Sequence, residues 1–203
     1  MSRVDESVEK IIALKEKYQY NIGKNQLDNN DIKVLFNKQE ELSKQLTKRS
    51  ITLYKDENNL LPIKEGEKVL SLFPKLNIAS LVDNVSNEQI SLGKYFDCDE
   101  IIYNDEKDFE NIVQKSKKYD KIVLATYNTN KDSFQTKLFN LLDKDKLINI
   151  AVRSPFDLIH LNGCKTFVCT FDCSQESLSA LAEVLKTNEF SSKLPINLNI
   201  LEK

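Results

Sequence analysis

The sequence predicts an α/β fold: a doubly wound, mostly parallel open sheet with helices on both faces. This is a three-layer α/β/α sandwich, preceded by an isolated N-terminal helix. Three apolar runs carry the expectation: Lys121–Thr126, Leu147–Val152 and Thr166–Phe171. None sustains a polar/apolar alternation, so each reads as a strand buried on both faces. Helix-like segments separate the runs, which makes the connections crossovers and the strands parallel.

The remaining elements follow in chain order. Val4, Val8, Ile11 and Ile12 form one apolar helical stripe, with Ser2 as cap and Asp5 in the first turn, ending near Tyr18. Gln19 to Asn37 is rich in Asn and Lys and weakly periodic, and reads as a linker or a loosely packed arm. Lys38 to Arg49 is a helix through Leu42 and Leu46. Ser50–Tyr54 alternates with period two and reads as a strand with one covered face. Residues Lys55–Asn59 are a turn, and Leu60–Ile63 is extended around Pro62. Lys68–Phe73 is the first parallel strand. Ile78 to Tyr95 holds one or two helices, with Gly93 as terminator. Glu100–Tyr103 is a short strand, and Asp105–Lys118 a helix with Phe109, Ile112 and Val113 on one face.

After the central strand, Phe134, Leu138, Leu141 and Leu142 mark a helix. Ser154, Pro155 and Asp157 suit the cap, first position and first turn of a short helix to Leu161, which Asn162-Gly163 ends. Asp172 or Ser174 caps a last helix with Leu178, Leu181, Ala182 and Leu185 inward. Lys193–Ile200 alternates and reads as an edge strand.

Charge excludes some functions. The 29 basic and 31 acidic residues are well mixed, leaving a net charge of −2 and no basic stripe for nucleic acid. Only four glycines occur, with neither a Walker-type nor a dinucleotide-binding glycine motif, so no nucleotide cofactor is expected. The cysteines, Cys98, Cys164, Cys169 and Cys173, fit no zinc spacing beside the single His160, so no metal is expected and they read as small core residues. No apolar stretch is long enough to span a bilayer. A complete chain of this kind would be cytoplasmic; a piece of a longer one could be secreted or lie at the cell surface.

Ligands of open α/β sheets bind beyond the carboxyl ends of the strands. The candidates there for contacting substrate or an interface are Asn128, Arg153, Asp157 and Asp172. Arg153 and Asp157 flank a helix start, where Arg153 could clamp an anion or a sugar hydroxyl. The plainer alternative is that Asp157 completes a capping box and Arg153 makes a surface or interface ion pair. No serine-hydrolase elbow is present, and His160 has no nucleophile partner. No catalytic residue is assigned.

Several stretches together resemble one family. Arg49–Pro62 resembles the opening of the C-terminal domain of glycoside hydrolase family 3. Ala151–Asp157 resembles a segment of its β-N-acetylhexosaminidase branch. Thr166–Phe171 and Lys193–Asn197 match in order and spacing, and Ser2–Tyr18 looks like the helix closing the preceding barrel domain. The resemblance implies a (β/α)8 barrel partner, in cis or in trans, that holds the nucleophilic aspartate and, in the N-acetylglucosaminidase branch, a histidine-bearing loop. Neither motif occurs here. The resemblance therefore implies residues 1–18 as the end of a barrel, 19–37 as linker and 38–203 as the sandwich domain. It implies a part of a β-N-acetylglucosaminidase, inactive alone and without a cofactor. Two alternatives stand beside it: a non-catalytic sugar- or protein-binding module, and a small enzyme using Arg153, Asp157 and Asp172.

Overall fold

The computed structural model describes residues 2–19, 28–75 and 89–198. The chain divides into two units, Met1–Leu42 and Ser43–Lys203.

The first unit holds α1 (Arg3–Gln19) and most of α2 (Asn29–Ser50). Helix α1 starts with a reciprocal box: the Ser2 N–H donates to Asp5 Oδ2 at 2.8 Å and the Asp5 N–H to Ser2 Oγ at 3.3 Å. Its stripe of Val4, Val8, Ile11 and Ile12 is exposed, Val4 to 68%. Helix α2 starts earlier than its composition suggests. Asp28 Oδ1 accepts from the Asn30 and Asp31 N–H groups at 2.7 and 2.8 Å, and Asp31 Oδ2 accepts from the Asp28 N–H at 3.3 Å. This second box makes residues 29–37 helical. Of the expected linker, residues 20–27 lie outside the described residues.

The second unit is a six-stranded sheet of order β1-β6-β5-β4-β2-β3. The strands are β1 (Thr52–Asp56), β2 (Val69–Pro74), β3 (Asp99–Tyr103), β4 (Lys121–Thr126), β5 (Leu147–Ala151) and β6 (Thr166–Cys169). Five run parallel and β1 pairs antiparallel with β6. Strands β2, β4, β5 and β6 are buried at every position, as strands covered on both faces must be. The period of two sorts their side chains into two cores. Val69, Phe73, Val123, Ile148 and Val168 pack with Leu178, Leu181 and Leu185 of α5 (Gln175–Thr187). Leu70, Leu72, Ile122, Leu124 and Phe167 pack with Phe109 and Ile112 of α3 (Phe109–Ser116) and with Leu138 and Phe139 of α4 (Phe134–Leu141). Full burial of each such side chain favours folding by about 1.5–3 kcal/mol. The α/β/α layering therefore follows from the apolar runs.

Strand β1 pairs Thr52 with Cys169 and Asp56 with Thr166, and the register shifts between Leu53 and Lys55. That bulge removes the expected alternation: Thr52 is buried and the other four residues are half-buried. Asp56 fastens the turn that follows. Its Oδ1 accepts from the Leu60 N–H at 2.9 Å and the Thr166 hydroxyl at 2.7 Å, and its Oδ2 from the Leu61 N–H at 3.0 Å.

Three further expectations need correction. The segment before α3 is a 3-10 turn (Glu106–Asp108), capped by Asp105 accepting from the Lys107 N–H at 2.9 Å. Lys193–Leu198 is not a strand. The position beside β6 is already taken by β1, and Pro195 has no N–H for a ladder, so Leu194 and Ile196 pack on the α3–α4 side instead, with Leu198 fully buried. Of the helices expected over Ile78–Tyr95, residues 78–88 lie outside the described residues. Residues 89–95 form no helix; Leu92 and Phe96 pack on the α5 side.

Candidate functional site

Strand order places the site. From β2 the chain moves outward to β3, with the packed part of that connection on the α5 side. From β3 it crosses back past β2 to β4, then on to β5 and β6, with α3 and α4 on the opposite side. A reversal of direction accompanied by a change of face is what crossovers of one hand require. The two directions part between β2 and β4. In doubly wound sheets the ligand crevice opens there, beyond the carboxyl ends. On the β4 side of that point the described lip comprises Thr126–Asn130 after β4 and Val152–Asp157 after its neighbour β5; beyond β2 only Lys75 is described before residue 89.

The two segments are tied together. Ser154 caps a 3-10 helix (Pro155–His160), accepting from the Phe156 N–H at 3.3 Å, and Gly163 follows with φ 74°. The helix aims Asp157 inward, where it is 2% exposed. Asp157 does not complete a capping box on Ser154. Its Oδ1 accepts from the Thr129 N–H at 3.0 Å, across to the other segment. Asn128 has φ 46°, a left-handed conformation that asparagine tolerates, and this turns the chain between Tyr127 and Thr129. Gln135 of α4 holds the Tyr127 backbone from both sides, accepting from its N–H at 2.7 Å and donating to its carbonyl at 3.0 Å. Arg153 is exposed, donates to the Tyr127 hydroxyl and lies 5.4 Å from the centre of its ring.

Beneath this lip lies a buried polar set. Asn149 Nδ2 donates to Thr126 Oγ1 at 3.3 Å, and the Tyr103 hydroxyl donates to the Ala125 carbonyl at 2.9 Å. Asn149 Oδ1 and Asp157 Oδ2 are buried with no hydrogen-bond partner among the described residues. Burial pushes the Asp157 carboxyl up to about 6, against the opposing influence of the Thr126 side chain and the Thr129 N–H. No hydrogen bond of good geometry joins Thr126 to Oδ2, so the Thr126 hydroxyl acts at longer range.

Three of the candidate positions thus share one lip: Asn128, Arg153 and Asp157. Asp172 stands apart in the β6–α5 connection. Its Oδ2 accepts from the Ser177 hydroxyl at 3.1 Å and its carbonyl from the Thr170 hydroxyl at 2.7 Å, while Ser174 caps α5. His160 ends the 3-10 helix, half-buried. Sequence reasoning passed over Tyr127, Thr129 and Asn149. The lone polar Asn149 in an otherwise apolar strand was the available signal. Chemically, the lip offers a planar cation on an aromatic ring and a buried carboxyl that changes charge near neutrality. A nucleophile beside a base is not among its described contacts. The described residues contain no group of three or more His, Cys, Asp or Glu side chains that could hold a metal ion. None of the four cysteines is in a disulfide, and burial pushes Cys164 and Cys169 up to about 12, which makes them poor nucleophiles. No described helix is long and apolar enough to cross a membrane.

No family model and no curated protein matches this sequence. Solved structures do. A glycoside hydrolase family 3 β-N-acetylglucosaminidase from Paenibacillus sp. str. FPU-7 matches 97% of this chain with a TM-score of 0.74 at 24% identity. A fungal multi-domain β-N-acetylglucosaminidase of the same family matches 96% with a TM-score of 0.74 at 22% identity. A β-glucosidase from Listeria innocua matches 91% with a TM-score of 0.65 at 16% identity. This chain spans only 39%, 23% and 31% of those three chains. The fold built from these residues is therefore that of a segment present in glycoside hydrolase family 3 β-N-acetylglucosaminidases.

Proposed function

We propose that this chain is the C-terminal α/β domain of a β-N-acetylglucosaminidase-type glycoside hydrolase of family 3. The carrying observation is the match of nearly the whole chain to two such enzymes at a TM-score of 0.74, against 0.65 for the β-glucosidase. In this reading residues 1–18 close a (β/α)8 barrel, 19–37 link the domains and 38–203 form the sandwich. The exposed stripe of α1 supports it, since an apolar helical face of that kind is ordinarily covered. The barrel carries the nucleophile, and this domain packs on it. Asn128, Arg153 and Asp157 supply one wall of the sugar site or the interface with the barrel, and Asp172 is a weaker member of the set. The whole enzyme removes terminal β-linked N-acetylglucosamine by the retaining route, through a glycosyl-enzyme formed on the barrel's carboxylate.

The test is the native polypeptide. An immunoblot of source cells with antibody raised against this chain should show a band far above 23.4 kDa. The immunocaptured polypeptide should release nitrophenol from 4-nitrophenyl β-N-acetylglucosaminide. A band at 23.4 kDa with no such activity, alone or with a captured partner, overturns the reading and leaves a free-standing binding module.

A further inference from the structure

We infer that Asp157 is a proton-operated latch: when neutral it holds the loop after β4 against the 3-10 helix after β5, and when charged it releases that loop. The inference concerns this chain alone and does not depend on the glycosidase reading.

Three observations carry it. Asp157 is the side chain that joins the two segments of the lip, through the Thr129 N–H at 3.0 Å. It does so from a position 2% exposed, under a loop whose Thr129 is itself 7% exposed. Its second oxygen has no partner among the described residues. A neutral carboxyl tolerates this place, since Oδ1 accepts as a carbonyl oxygen while Oδ2 carries the proton. Ionisation strengthens the Thr129 bond at Oδ1, but it leaves Oδ2 charged and buried with no partner among the described residues, and burial outweighs the bond.

Among the described groups that act on the Asp157 carboxyl, none is a cation, and half-buried His160 at the end of the same 3-10 helix is not one of them. From β3 the titratable group facing Asp157 is Tyr103, and from β6 it is Cys169; burial keeps both neutral through the physiological range. From β4 and β5 come the neutral Thr126 and Asn149, and from α4 the neutral Gln135 and Thr136 at the loop's far end. Arg153, the nearest cation in sequence, is engaged outside with Tyr127. Tyr127 stays clamped by Gln135, so the released part of the loop begins at Asn128.

The experiment is amide exchange of the 203-residue chain by NMR between pH 4 and pH 8, with rates corrected for intrinsic pH dependence. Protection at Thr129 should fall about a hundredfold between pH 4 and 7 and then level off, which is the ratio expected for a carboxyl moving between 3.8 and about 6. In low denaturant Thr129 should exchange through a smaller opening than Leu124 of β4. In Asp157→Asn its protection should be high and independent of pH. The latch is overturned if protection at Thr129 is flat or rises with pH. It is equally overturned if Thr129 exchanges only through the same global opening as Leu124. Both can be read on the natural chain, so the outcome does not hang on the variant folding.

Discussion

Lys121 opens the central strand and, unlike most lysines, is buried. Its ammonium donates to the Leu60 carbonyl, to the Pro62 carbonyl at 3.2 Å and to Glu67 Oε2 at 2.9 Å. It pins the segment around Pro62 and the start of β2 to the sheet. Replacing it with Met keeps the stem's packing and deletes all three bonds. Breaking a fully buried ion pair costs about 3–5 kcal/mol. Glu67 is 26% exposed and partly rehydrates, which lowers that cost. The two carbonyls lose a charged donor and raise it again. We expect a net loss of about 3 kcal/mol, or about 6–12 °C in Tm for a domain of this size. Glu67→Gln should cost only about 1 kcal/mol, because an amide oxygen still accepts from the ammonium. Urea and thermal unfolding at pH 7 measure both. A loss under about 1 kcal/mol for Lys121→Met, or equal losses for the two variants, would refute a staple built mainly on the carbonyls.

Other outcomes follow from the same structure. The folded Asp157 carboxyl lies above its ordinary value, so its contribution favours folding fully below about pH 4 and is lost as pH rises through about 6. Asp157→Asn should therefore stabilise the chain at pH 7, by at most about 3 kcal/mol, and leave pH 4 nearly unchanged in urea titrations. Destabilisation at pH 7 would contradict this. Asp56→Ala removes the acceptor of three bonds and should cost about 2–4 kcal/mol in the same assay; a loss within 0.5 kcal/mol would mean water replaces them. Val8→Asp with Ile11→Asp on the exposed face of α1 should leave the unfolding of residues 43–203 unchanged. In a barrel-containing polypeptide the same pair should lower its Tm, if the proposed function is right.

How much of this was legible depended on what each signal reports. Strand β4 appears at the expected residues, and α5 buries the expected leucines, because continuous burial writes itself into composition. The start of α2 is poorly legible although Asp28 and Asp31 have capping spacing. Its Asn- and Lys-rich flank masked the box, and its apolar residues, such as Leu35 and Phe36, face solvent. Alternation in the tail reports a half-covered segment, not its partner. Asp157 shows the limit most clearly. Its spacing from Ser154 suited a cap, but a 3-10 helix turns faster than an α-helix and points it inward instead. That Thr129 would meet it is a consequence of parallel neighbours β4 and β5, which no local pattern reports.

The bulge in β1 has a bearing on solubility. An open sheet ends in two rows of unpaired peptide groups, and a regular one invites strands from other molecules. Here the outer row runs against the grain of the parallel strands, slips register at Tyr54, and carries Lys55 and Asp56 at its end. A strand from a neighbouring molecule would meet a kink at β1. On that edge another strand would find no regular register to extend.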